Sequence, residues 1–223
     1  MKKLYVVSLA LATFGLASNV YASDVAVGAK VSTLGVGVDF TTPLTEKLNL
    51  RAGIQWLEYG IDTESDGVEY DADLELFSGL MVADWHPFGG VFKITGGLLI
   101  NDNKVVGTGE ATPGTVSTFT INNTVYTAAD VGKLEAEISY NTVAPYLGIG
   151  WGNPVSKNSN WTFFCDIGVV FMGSPNVDIK ASGAIASNEI FMTNLEQECK
   201  ELEDDLASYE YYPVVTLGLS YKF

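Results

Sequence analysis

The feature that most limits what this chain can become is the two-residue period of its last segment. From residue 213 to 223, Pro213, Val215, Leu217, Leu219, Tyr221 and Phe223 are apolar, while Thr216, Gly218, Ser220 and Lys222 between them are small or polar. Successive side chains on a strand point to opposite faces, so this segment has one greasy face and one wet face. A half-buried strand of a soluble domain alternates in the same way. Soluble domains, however, seldom finish on an aromatic strand with no polar tail.

The same period recurs upstream. Leu48, Leu50, Ala52, Ile54 and Trp56 share a face against Asn49, Arg51, Gly53 and Gln55, and Leu74, Leu76, Leu80 and Val82 oppose Asp73, Glu75, Phe77, Gly79 and Ala83. Phe92, Ile94, Gly96, Leu98 and Ile100 leave Lys93, Thr95, Gly97 and Asn101 facing inward. Trp161, Phe163, Cys165, Ile167, Val169 and Phe171 alternate with Thr162, Asp166 and Gly168. The wet face is small, glycine-rich and charged, which suits the inside of a narrow barrel better than a hydrocarbon core. Beyond the first 22 residues no uncharged apolar run reaches the ~18 residues of a helical membrane span. The fold expected is all-β: an eight-stranded antiparallel transmembrane β-barrel over residues 23–223, with long acidic extracellular loops.

Parity breaks near Thr33-Leu34 and again between Tyr140 and Leu147. A reversal at the first keeps the strand count even, as closure with both ends on one side requires, and the second reads as a bulge in one long strand. Short turns are expected at 42–47, 86–90 and 153–160, and long connections at about 62–71, 106–133 and 182–209. The second of these contains Thr118 to Tyr126, which reads as a hairpin extending into solvent. Tryptophans 56, 85, 151 and 161 are placed for interfacial girdles.

The start of the chain reads as a cleaved signal peptide spanning residues 1–22. Lys2 and Lys3 precede an apolar run from Leu4 to Leu16, and Val20-Tyr21-Ala22 supplies small residues at the cleavage site. Cleavage removes two lysines and no acid, so the formal charge of −15 becomes −17. A chain this acidic is a poor partner for nucleic acid, whose phosphates are bound through basic surface. It favours cations or solvated loops.

The third connection holds the one convincing helix, with Leu195, Cys199, Leu202 and Leu206 at helical spacing and a capping-box pattern in Thr193 and Glu196. Its other face carries Glu196, Glu198, Glu201, Glu203, Asp204 and Asp205, either a solvated surface or a negative lid. With Asp62, Glu64 and Asp66 of the first connection, Glu198, Glu201, Asp204 and Asp205 form the expected acidic mouth. Cys165 points outward and Cys199 lies on the helix, so no disulfide is expected, and neither has metal-site spacing. The single histidine, His86, falls in a short turn on the inner side of the membrane, away from any outer-surface substrate, so no catalytic residue is assigned and no cofactor is implied.

Two resemblances add to this reading. Leu217, Leu219, Tyr221 and the terminal Phe223 resemble the signal by which the barrel-assembly machinery recognises bacterial outer-membrane proteins. Val143 to Gly150, Trp161 to Asp166, Gly173 to Val177, and Tyr212-Pro213-Val214 resemble the CarO-type family of small outer-membrane proteins, in order and spacing over most of the chain. Asp166 matches an inward acidic position of that family's seventh strand; Arg51 lies outside the matched segments. The resemblance implies an eight-stranded, nearly closed barrel associated with basic amino acid uptake and carbapenem entry, with contested channel activity.

Eight strands enclose an interior about wide enough for its own side chains. Lys30, Asp39, Arg51, Glu75 and Asp166 are expected to line it as ion pairs, since unpaired charges there are costly. Two functions follow: entry of small cationic solutes such as basic amino acids through a narrow, largely plugged lumen, or a non-transporting envelope protein whose acidic loops bind divalent cations, lipopolysaccharide or a partner. Outer-membrane lipid surrounds the barrel in either case.

Overall fold

A computed structural model describes residues 25–65, 67–112 and 117–223. Residues 1–22, expected to be a signal peptide, and Asp66 lie outside the described residues. Eight strands close a ring: β1 (Ala26–Ser32), β2 (Gly35–Thr45), β3 (Leu48–Ser65), β4 (Val68–Trp85), β5 (Phe92–Asn101), β10 (Val143–Trp151), β11 (Trp161–Phe171) and β13 (Tyr211–Lys222). Each pairs antiparallel with the next, and β13 returns to β1 through Ala26↔Lys222 to Ser32↔Thr216. Closure leaves the ring without an edge, which is what allows strands to cross a lipid layer.

The expected reversal at Thr33-Leu34 is a two-residue turn between β1 and β2. Short turns at 46–47, 86–91 and 152–160 gather at the end of the barrel that also holds Val25 and Phe223, whose backbone groups bond to each other at 3.0 Å. Outward residues are apolar and exposed, among them Val31, Phe40, Leu98, Leu147, Ile167 and Leu217. Rings mark both ends of this band. Trp161 packs edge-on against Tyr221, and Tyr221 against Phe223, at the turn end; Phe171 meets Tyr211 at the other. From Trp161 to Phe171 the tilted strand rises roughly 25 Å at ~3.3 Å per residue, the height of a lipid-facing band.

Beyond the barrel the strands do not stop. Outer halves of β3 and β4 continue as one uninterrupted ladder to Ser65↔Val68, so the acidic segment expected as a loop is paired strand over nearly all of its length. Past Asn101 the chain resumes as β6 (Lys104–Ala111), which pairs with the outer half of β4. β9 (Leu134–Ser139) pairs with β6, and β12 (Asn176–Ala181) with β9. The result is an open outer sheet ordered β12-β9-β6-β4-β3. The parity break at 140–147 is therefore the gap between β9 and β10, where the chain passes from outer sheet to barrel, and not a bulge.

The outer sheet has its own core. The hairpin β7 (Thr118–Ile121) with β8 (Thr124–Thr127), helix α1 (Ala128–Val131) and helix α2 (Glu189–Leu206) bring together Val68, Phe119, Ile121, Val131, Phe191 and Leu195. That hairpin, expected to stand in solvent, is instead folded down: Phe119 and Ile121 are buried, and Tyr126 stacks edge-on against Phe191. Helix α2 starts a turn earlier than its capping-box pattern suggested. Asn188 is the N-cap, accepting bonds from the Ile190 and Phe191 amides, while Thr193 sits inside and bonds back to the Glu189 carbonyl. The helix also covers the β12 edge, where the Val177 amide donates to Glu203 at 3.0 Å.

One strand runs in the opposite phase to the sequence reading. In β4, Leu76, Leu80 and Val82 face inward with Ser78 and Asp84, while Met81 and Trp85 face out. Glu75 therefore lies on the face opposite the lumen and pairs with Lys104 at 3.4 Å.

Placing a charge in the outward band should disrupt assembly. Val169→Arg on β11 is expected to cost ~2–4 kcal/mol near the midplane. A heat-modifiability assay on detergent-extracted protein should show the folded band lost for this variant.

Candidate functional site: the closed lumen

The inward residues form two layers. Nearer the turn end lies an ionic layer built from five strands and β1. The Arg51 guanidinium on β3 holds Asp84 of β4 in two bonds, Nε to Oδ2 at 2.9 Å and Nη2 to Oδ1 at 3.0 Å, and reaches across the barrel to Asp166 of β11 at 2.8 Å and Asp39 of β2 at 3.5 Å. Lys30 of β1 meets Asp39 at 2.6 Å, and Lys93 of β5 meets Asp166 at 2.9 Å and Asp84 at 3.5 Å. Thr95 donates to Asp84 at 2.6 Å. All six ionic side chains are at most 3% exposed. Three cations face three carboxylates, so the layer is formally neutral. A planar guanidinium suits this position because it can bridge several carboxylates at fixed angles.

Strand sequence explains how so much charge fits in a narrow tube. A Cβ on Gly53 would lie 1.9 Å from an Asp39 oxygen, and one on Gly150 2.0 Å from an Asp166 oxygen. Glycine is needed at both positions because the carboxylates occupy that space. Phe164, also inward, fills the niche over Gly218, where a Cβ would come within 2.2 Å of the ring. Its face lies 5.6 Å from the Lys93 ammonium and 6.0 Å from the Arg51 guanidinium, within reach of a cation–π contact.

Toward the outer sheet the lining turns apolar. Leu34, Leu80, Val82, Leu99, Tyr146 and Val170 form a buried cluster with Ala144, Met172 and Val214, and Tyr140 and Tyr212 pack against it. Gln55 bridges Ser32 and Ser78 beside it, at 3.0 and 3.2 Å. A cavity between the layers, lined by Lys30, Arg51, Gln55, Tyr146 and Asp166, holds about 10 Å³. That is near the lower limit for one water molecule.

At the turn end His86 is buried, accepting from the Asn49 amide at 3.2 Å and donating through Nδ1 to the carbonyls of Gly90 and Phe92. Burial pushes its imidazole below the usual range, toward the neutral form that this pattern needs. It serves to close the turn. Cys165 and Cys199 are free thiols, one on the outward face of β11 and one on α2.

Of the residues expected in the lumen, Lys30, Asp39, Arg51 and Asp166 come together and Glu75 does not. The sequence reading placed Lys93 inward without giving it a role, and missed Asp84. Asp84 shares parity with Leu80 and Val82, which apolarity had assigned to lipid. The acidic mouth is divided. Asp62 and Glu64 stand on β3 at one edge of the outer sheet, while Glu198, Glu201, Asp204 and Asp205 lie on α2 beside β12 at the other. Glu198 is engaged internally, accepting the Asn122 amide at 2.6 Å.

No family model matches the sequence, and no curated protein matches it. Solved structures do. CarO2 of Acinetobacter baumannii aligns with a TM-score of 0.56 at 22% identity, over 89% of this chain and 98% of that one. CarO of the same organism aligns with a TM-score of 0.55 at 23% identity, over 89% and 97%. The chain has the CarO-type barrel fold.

Removing one member of the ionic layer should be worse than removing them together. Arg51→Met leaves three carboxylates against two ammoniums in a dry interior, at an expected ~3–5 kcal/mol; Arg51→Met with Asp84→Asn, which keeps Lys30 with Asp39 and Lys93 with Asp166, should recover most of it. Urea unfolding in detergent, followed by tryptophan fluorescence, measures both.

Proposed function

We propose that this protein is an outer-membrane barrel, freed of residues 1–22 on export, that is closed to solutes in its resting state and acts through its outer sheet. The observation that carries this is the filled lumen: a neutral ionic layer under an apolar one, with a cavity of about 10 Å³ between them. A solute would have to break charge-assisted bonds in a dry interior and then cross an apolar constriction. The outward apolar band, the rings at both of its ends and the fold shared with CarO support the outer membrane as its location.

Passage of small cationic solutes such as basic amino acids is the second reading. It is favoured by the acidic outer sheet, where Asp62 stands opposite Asp71 and Glu64 opposite Glu69, a surface that concentrates cations. It requires the ionic layer to separate.

Liposome swelling with ornithine, glucose and glutamate decides between them. Reconstituted protein should swell liposomes no faster than protein-free vesicles for all three solutes. Faster swelling in ornithine than in glutamate, with a preference that shrinks as salt shortens the screening length from ~8 Å, would establish transport instead.

A further inference from the structure

The two edges of the outer sheet are finished differently. At β12 the edge is covered by helix α2, with Glu203 bonded to the Val177 amide. At the other side β3 pairs with β2 only as far as Trp56↔Val36, and among the described residues no strand lies beside it from residue 59 to 64. Natural proteins blunt such an edge with proline, charged side chains, a bulge or a covering element, because a row of open backbone donors and acceptors invites another strand. Here the segment Tyr59-Gly60-Ile61-Asp62-Thr63-Glu64 has neither proline, bulge nor cover, runs in unbroken register with β4, and carries charge of one sign only, at Asp62 and Glu64. Tyr59 is 61% exposed and Ile61 54%, large apolar groups on one face of an open strand.

The other face fixes the sign of what can pair there. Asp62 lies directly opposite Asp71, Glu64 opposite Glu69, and Glu69 opposite Glu110 on β6. Directly opposed like charges on adjacent strands destabilise a sheet. Pairing with a second copy through the same edge would add acid to acid, and an anionic lipid headgroup would meet the same repulsion. A strand bearing Lys or Arg on the matching face would instead relieve it while its apolar face covers Tyr59 and Ile61.

We infer that the β3 edge over residues 59–64 is a docking strand for an extended, basic segment of a partner protein, which joins the outer sheet by backbone hydrogen bonding. The inference deepens the reading of the outer sheet as the working surface and rests on it. Recognition divides between main-chain bonds, which hold any extended segment, and alternate side chains, which select apolar on one face and cationic on the other.

The test uses the full-length mature protein in neutral detergent and three fluorescent nine-residue peptides. One alternates Val with Lys, one alternates Val with Glu, and one repeats the first with alternate backbone nitrogens methylated. Fluorescence anisotropy should show the Lys peptide binding, at least tenfold weaker binding when methylated, and weakening with salt. Asp62→Lys with Glu64→Lys, both on the exposed face, should transfer the preference to the Glu peptide while heat-modifiable folding is kept. Equal binding of the methylated peptide, which would mean attraction without strand pairing, overturns the inference. So does absence of binding, or a homodimer cross-linked through residues 59–64. Liposome swelling reports separately on the closed lumen: protein that stays closed but binds no Lys peptide loses the docking strand alone, whereas swelling removes the reading on which it rests.

Discussion

Arg51 is the group around which the barrel interior is organised. Its guanidinium is the one cation that touches all three buried carboxylates, Asp39, Asp84 and Asp166, drawn from three different strands. Lys30 and Lys93 then complete neutrality at the flanks. A lumen of eight strands has to be filled by its own side chains. Filling it with charge succeeds only if the charges are matched, and Thr95 adds a hydrogen bond to Asp84 beyond its ion pairs. The glycines at 53 and 150 follow from the same constraint, since the carboxylates lie where a Cβ would stand.

Above that layer the solution changes from polar to apolar, and the change determines how much the sequence revealed. Strands β3, β5, β11 and β13 were legible because their wet faces contain Arg51, Lys93, Asp166 and Thr216, while their outward faces are unmistakably greasy. β4 was not. Its inward face carries Leu76, Leu80 and Val82 and its outward face Met81 and Trp85, so hydrophobicity alone gives no phase. Asp84 was the residue that decides it, being the sole charge at the turn end of the strand and sharing parity with Leu80 and Val82. The same ambiguity moved Glu75 to the wrong face.

The outer sheet was missed for a different reason. Segments such as Lys104–Ala111 and Leu134–Ser139 are short, mix glycine and charge, and acquire a partner only because β4 and β6 extend above the membrane band to receive them. Pairing between segments so distant in sequence leaves little local signal. Burial of the β7–β8 hairpin likewise depends on Phe191 and Leu195 of α2, some seventy residues away. The helix itself was legible from its periodicity, but its start was set by Asn188, which satisfies two amides at once, and not by the capping box.

Barrel and outer sheet differ in how they are joined. β5 gives way to β6 across residues 102–103, β10 is reached from β9 across residues 140–142, and β12 follows β11 after a break at 172–175. Only β3 and β4 pass through the junction without interruption, eighteen residues each. They form one continuous hairpin, flanked in the barrel by β2 and β5, that carries Tyr59 and Asp62 at one end and Arg51 and Asp84 at the other. The open outer edge and the bidentate Arg51–Asp84 pair thus lie on one unbroken backbone ladder, from Ser65↔Val68 to Leu48↔Trp85, with no loop between them.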